Sequence, residues 1–90
     1  MRLSDEEKQV IVEEARRAGI LAVYVFGSVL TDEGEPRDID VAVRGVPAGA
    51  LFRFYAALSR RVSKPLDVVD LGQENAVTRL IEREAVRIDD

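Results

Sequence analysis

Neither cysteine nor histidine occurs among the 90 residues of this chain. The first absence excludes a disulfide scaffold and a thiol nucleophile, the second excludes Ser-His-Asp catalysis, and together they remove the usual zinc sites. Long apolar runs are missing too. No stretch approaches the ~18 residues of a membrane span, and MRLSDEEKQV at the start lacks the apolar core of a signal peptide. A cytoplasmic protein without a membrane partner is therefore expected. There is no basic excess either: net charge is -4 with acids and bases interleaved, so no direct nucleic-acid partner is expected. Any chemistry falls to carboxylates, hydroxyls, arginine, lysine or a hard, oxygen-liking cation.

What is present is an ordinary globular composition without repeats, sized for a single domain over residues 1–90. Ser4-Asp5-Glu6-Glu7 reads as a helix start, with Ser4 as N-cap and Glu7 completing a capping box. The helix runs to about Ala18, where Gly19 stops it. Ile20 to Phe26 is short, β-branched and aromatic, which predicts a buried strand. A turn follows from Gly27 to Glu35, then a second strand from Asp38 to Val43. Leu51, Tyr55, Leu58 and Val62 recur at helical spacing and predict a helix over 50–62. Leu66 to Leu71 is a third strand, Gln73 to Glu84 a last helix, and Val86-Arg87-Ile88 an edge strand or a frayed helix end. The loop after the first strand is too short for a crossover helix, so strands one and two are expected to be antiparallel. The third follows a helix and can lie parallel to the second. The expected class is α+β, a small mixed sheet of three to four strands with helices packed against it, in the order α-β-β-α-β-α. Phe52 and Phe54 widen the apolar arc of the helix over 50–62, as a broader core contact or as an aromatic edge at an interface.

Two aspartates interrupt the second strand. Side chains alternate along a strand, so Asp38 and Asp40 share one face, about two rises (~6.8 Å) apart, with Ile39 opposite. Asp67 lies inside the third apolar run and reaches the same patch if that strand lies beside the second. Asp70, an odd number of residues further on, points to the other face and reads as a strand-end residue. Converging carboxylates repel one another unless a cation sits among them, and Mg2+ suits an oxygen-only, strongly charged set. An aspartate that only caps a loop is the plainer alternative. Gly27-Ser28 adds a second feature: a glycine directly after a buried strand lets the chain turn sharply and lets a ligand approach the amides, and such amides favour phosphate. It is not a P-loop, because no G-x-x-x-x-G-K-[ST] occurs.

The combination of Gly27-Ser28, nine intervening residues, Asp38-Ile39-Asp40 and then Asp67 resembles the minimal nucleotidyltransferase (MNT) domains of the polymerase-β-like superfamily. The resemblance extends from the first helix to Val86-Arg87-Ile88. It implies Mg2+-dependent transfer of a nucleoside monophosphate, AMP when ATP rather than another NTP is the donor, to an acceptor hydroxyl. It also implies a HEPN-domain protein as partner and acceptor, with the MNT chain acting as antitoxin. Residue by residue, Asp38 and Asp40 would hold two Mg2+ ions, Asp67 would complete the metal site nearest the acceptor, and Gly27 and Ser28 would grip the nucleotide phosphates. Three departures stand out. Thr31 and Asp32 occupy places where the family often has Arg-Gly, Arg37 precedes the first aspartate in place of a small residue, and the loop carries Asp32, Glu33 and Glu35. An inactive nucleotide- or HEPN-binding module of the same fold is the alternative that these changes leave open.

Overall fold

The computed structural model describes residues 1–31 and 36–90. The acidic loop residues 32–35, on which part of the sequence reading falls, lie outside the described residues. Helix α1 (Asp5–Arg17) begins as its sequence dictates: Ser4 Oγ accepts from Glu7 N at 3.0 Å while Ser4 N donates to Glu7 Oε1 at 3.0 Å. Gly19 leaves the helix with φ of 74°, a left-handed conformation that strains any L-residue. Strand β1 (Ala22–Phe26) leads into a 3-10 turn, Gly27–Leu30. Strand β2 (Ile39–Arg44), helix α2 (Ala50–Ser59), strand β3 (Leu66–Asp70), helix α3 (Ala76–Glu84) and strand β4 (Val86–Arg87) follow.

The sheet order is β3-β2-β1-β4. β1 is antiparallel to β2 and to β4, and β3 is parallel to β2, as the loop lengths require. Of the 86–88 segment, Val86–Arg87 forms an edge strand, and α3 ends before it at Glu84. Element ends differ from the sequence reading by a few residues. β2 starts at Ile39, whose N–H bonds Pro65 O, and Asp38 stays in the bend before it. α2 stops at Ser59 rather than at residue 62. α3 starts only at Ala76, because Asn75 caps it through reciprocal bonds with Thr78.

One sheet face carries Val23 and Val25 of β1 with Ile39, Val41 and Val43 of β2, all fully buried. They form a single core with Ile11 and Ala15 of α1 and Phe54 and Leu58 of α2. Phe54 is its largest member, and truncation to alanine would cost ~3–5 kcal/mol, comparable to the whole stability of a small domain. Alternation sends Tyr24, Phe26, Asp40, Ala42 and Arg44 to the opposite face. There α3 is tied on by the Arg44–Glu82 ion pair. Only Thr78 of α3 is buried, while Val77 and Leu80 are exposed. Among the described residues, no helix is long and apolar enough to cross a membrane.

Candidate active site

The register of the sheet brings the aspartates together. Asp40 pairs with Phe26 on β1 and directly with Asp67 on β3. Asp40 and Asp67 therefore sit one strand spacing apart, about 4.8 Å, on one face. Asp38, two residues before Asp40, joins them from the bend at the start of β2. Asp38 and Asp40 are half-buried and Asp67 is exposed, so the patch opens to solvent at its β3 side.

The Asp40 carboxyl is pushed above the usual aspartate range. Burial is the first cause, followed by the negative charges of Asp67 and Asp38 and by the Asp67 carboxyl as a hydrogen-bonding neighbour. A group that resists ionisation through its neighbours' charges is one that a bound cation relieves. Among the described residues, no three acidic side chains close tightly enough to enclose a metal ion unaided. The open, all-oxygen arrangement fits Mg2+, which keeps waters and shares its coordination with substrate phosphates rather than occupying a protein cage.

Gly27 forms the other wall. Its φ is 77°, and a β-carbon there would lie 2.2 Å from Asp40 Oδ2 and 3.1 Å from its carboxyl carbon. Any other residue is strained by the backbone conformation and must also displace the carboxylate. Ser28 follows in the 3-10 turn, and its carbonyl accepts from Thr31 N at 3.2 Å and Thr31 Oγ1 at 3.0 Å. Its hydroxyl has no hydrogen-bond partner among the described residues.

The structure thus gathers Asp38, Asp40, Asp67 and Gly27-Ser28 at one end of β1, β2 and β3. Asp70 stands apart, as its spacing predicts, with Oδ1 accepting from Gly72 N at 2.8 Å. Phe26, directly across from Asp40, was not legible as a site neighbour, because its register depends on how the intervening loop closes.

A family model described as polymerase beta, nucleotidyltransferase matches residues 8–88. No curated protein matches the sequence. Among solved structures, a chain of a toxin–antitoxin complex with AMP-PNP is similar with a TM-score of 0.73 and 20% identity, over 90% of this chain and 71% of that one. A chain from the tri-AMPylated Shewanella oneidensis HEPN toxin in complex with MNT antitoxin aligns at TM-score 0.70 and 20% identity, over 92% of this chain and 69% of that one. A chain of the toxin–antitoxin MntA-HepT aligns at TM-score 0.70 and 19% identity, over 94% and 71%. These likenesses speak for the fold, and the family match covers nearly the whole chain. On that match, the protein belongs to the polymerase-β-type nucleotidyltransferase family.

Proposed function

We propose that this domain is a Mg2+-dependent nucleotidyltransferase that moves AMP from ATP onto a hydroxyl of a HEPN-domain partner, as the antitoxin of a toxin–antitoxin pair. The observation that carries the proposal is the Asp40–Asp67 pairing, with Asp38 beside it and Gly27 pressed against Asp40. Solved structures of similar fold include a tri-AMPylated HEPN toxin with its MNT antitoxin, which supports the choice of nucleotide and partner. The reaction belongs in the cytoplasm, where ATP and Mg2+ are abundant.

Asp38 and Asp40 would hold Mg2+, and Asp67 would share it from β3. When bound, Mg2+ supplies neutralisation of the phosphate charge that opposes attack. The turn at Gly27-Ser28 holds the β- and γ-phosphates through its amides and the Ser28 hydroxyl. Asp67, the most exposed of the three, faces the acceptor and takes the proton from its hydroxyl. The acceptor oxygen bonds to the α-phosphorus as the bond to the bridging oxygen breaks, and pyrophosphate leaves. Positioning and charge account for such catalysis, so the absence of histidine is no obstacle.

The test is thermal melting with Mg2+ and ATP. Wild type is expected to gain several degrees at saturating ligand, and Asp40→Asn none. An equal gain in both proteins would show that the nucleotide binds elsewhere.

A further inference from the structure

Between α2 and β3, outside the carboxylate site, lies an apolar cavity of about 220 Å³ lined by Leu51, Phe52, Tyr55 and Val68. Phe52 is 87% exposed, the most exposed large apolar side chain among the described residues. Tyr55 beside it is also exposed. Of the two phenylalanines that widen the arc of α2, Phe54 is core and Phe52 is not. A solvated aromatic pair around a concave surface is the composition of an interface centre, not of a helix's water-facing side.

The cavity borders a free strand edge, because β3 is the last strand of the sheet. Pro65 O and Leu71 N bond toward β2, to Ile39 N at 2.9 Å and Val43 O at 2.8 Å. Alternation then turns the backbone N–H and C=O of Val68 away from the sheet. Among the described residues they meet no partner. The same alternation places the Val68 side chain against the core and Asp70 next along the same face.

Two cations, one on α2 and one just after it, face away from the groove. Arg61 of the segment after α2 turns toward α1, where it pairs with Glu13 and Glu14. Arg53 lines a cavity on that same α1 side with Glu14 and Arg17. The β3 border carries Asp70 on the groove face and Asp67 on the other.

We propose that the α2–β3 groove binds an extended segment of a partner protein, which hydrogen-bonds to the free edge at Val68, inserts one aromatic or aliphatic side chain between Phe52 and Tyr55, and sets a lysine or arginine against Asp70. Edge addition supplies backbone bonds for affinity and a side-chain pocket for selection. A second copy of this chain is a poorer occupant. Antiparallel pairing of two β3 edges through Val68 brings the two Asp67 carboxylates to diagonal positions on one face, a like-charge arrangement of the kind that protects natural edges. β3 presents Asp67 to the carboxylate site and Val68 to the groove from consecutive positions. A docked segment thereby lies beside the reacting face; this last link, and the choice of a HEPN-domain protein as occupant, rest on the function proposed above.

The probe is the purified HEPN-domain protein of the proposed pair, titrated calorimetrically against wild type, Phe52→Ser and Asp70→Asn. The asparagine keeps an acceptor for Gly72 N and removes only the charge. Phe52→Ser is expected to weaken binding at least ~10-fold. Asp70→Asn is expected to weaken it about 3-fold or more and to flatten its salt dependence, with both melting temperatures unchanged. Hydrogen exchange should slow at the Val68 amide in the complex. The proposal is overturned by absence of binding to wild type, by unchanged affinity in Phe52→Ser, or by an unprotected Val68 amide in the complex. A wild-type homodimer that Phe52→Ser dissociates overturns it in favour of a second copy. AMP transfer followed in the same samples separates the two claims: Phe52-dependent binding without transfer supports the groove and counts against the enzyme alone.

Discussion

Gly27 and Asp40 face each other so closely that a single methyl group on Gly27 would sit 2.2 Å from Asp40 Oδ2. The Gly27-Ser28 turn and the Asp40 carboxylate are therefore one packed unit, and added bulk on Gly27 must move Asp40. Gly27→Ala must adopt φ of 77° and displace the carboxylate at once. A loss of ~1–3 kcal/mol is expected, seen as a lower melting temperature, together with a ~100-fold loss of transfer in initial-rate assays. Full activity in a normally stable Gly27→Ala would show that Asp40 does not need this wall.

Asp40 costs the metal-free fold stability, because burial and then the charges of Asp67 and Asp38 disfavour its ionised form. Asp40→Asn keeps the shape and removes the charge. In EDTA it should melt above wild type while losing all response to Mg2+ and ATP. Calorimetry on the two proteins, with and without ligand, provides the check. A destabilised variant would mean that Asp40 is held by attractive contacts that the structure does not show.

The pH dependence follows from opposite shifts. Asp40 has a raised folded-state pKa, so its contribution favours folding at low pH and is lost as pH rises through that pKa. Glu7 and Asp89 are lowered. Burial alone would raise Glu7, but the Ser4 N–H, Lys64 and the Ser4 hydroxyl outweigh it; burial of Asp89 is outweighed by Arg87 and Val23 N. Their contributions are present above the ordinary carboxylate range and are lost as pH falls through their folded values. Metal binding needs Asp40 ionised. The rise in melting temperature given by Mg2+ and ATP should thus shrink on acidification while the pH is still above the usual aspartate value of about 3.9. In metal-free protein, Asp40→Asn should flatten the part of the pH–melting curve that Asp40 supplies.

The N-terminal cap offers a control away from the site. Ser4→Ala removes the acceptor for Glu7 N and half of the reciprocal box. It should cost about 1 kcal/mol and lower the melting temperature by ~4–8 °C. Transfer measured well below the melting range should not change, since α1 lies on the sheet face opposite the carboxylates. A loss of activity equal to that of Gly27→Ala would break this separation of stability from chemistry.

The capping box at Ser4, the shared face of Asp40 and Asp67, and the parallel placement of β3 were all legible, because each depends on local periodicity or loop length; the strand was expected to begin at Asp38, which the structure leaves in the bend before β2. Asp70 was separable from Asp67 by parity alone. The Gly27–Asp40 contact was not, since it depends on the β1–β2 register. Nor was the difference between Phe52 and Phe54: both are apolar positions of one helix, and only the placement of α2 against β3 and the core decides which ring is buried. Val77 and Leu80 are apolar positions as well, yet α3 leaves them in water. Tertiary placement, not propensity, decided each of these.

The central claim is that the three aspartates serve transfer chemistry. It is tested most directly by incubating the protein with α-phosphate-labelled ATP, Mg2+ and the HEPN-domain protein. The expected result is label on the HEPN protein with wild type, and none with folded Asp40→Asn or without Mg2+. Label that persists in Asp40→Asn, or no label with wild type while HEPN binding is intact, would contradict it.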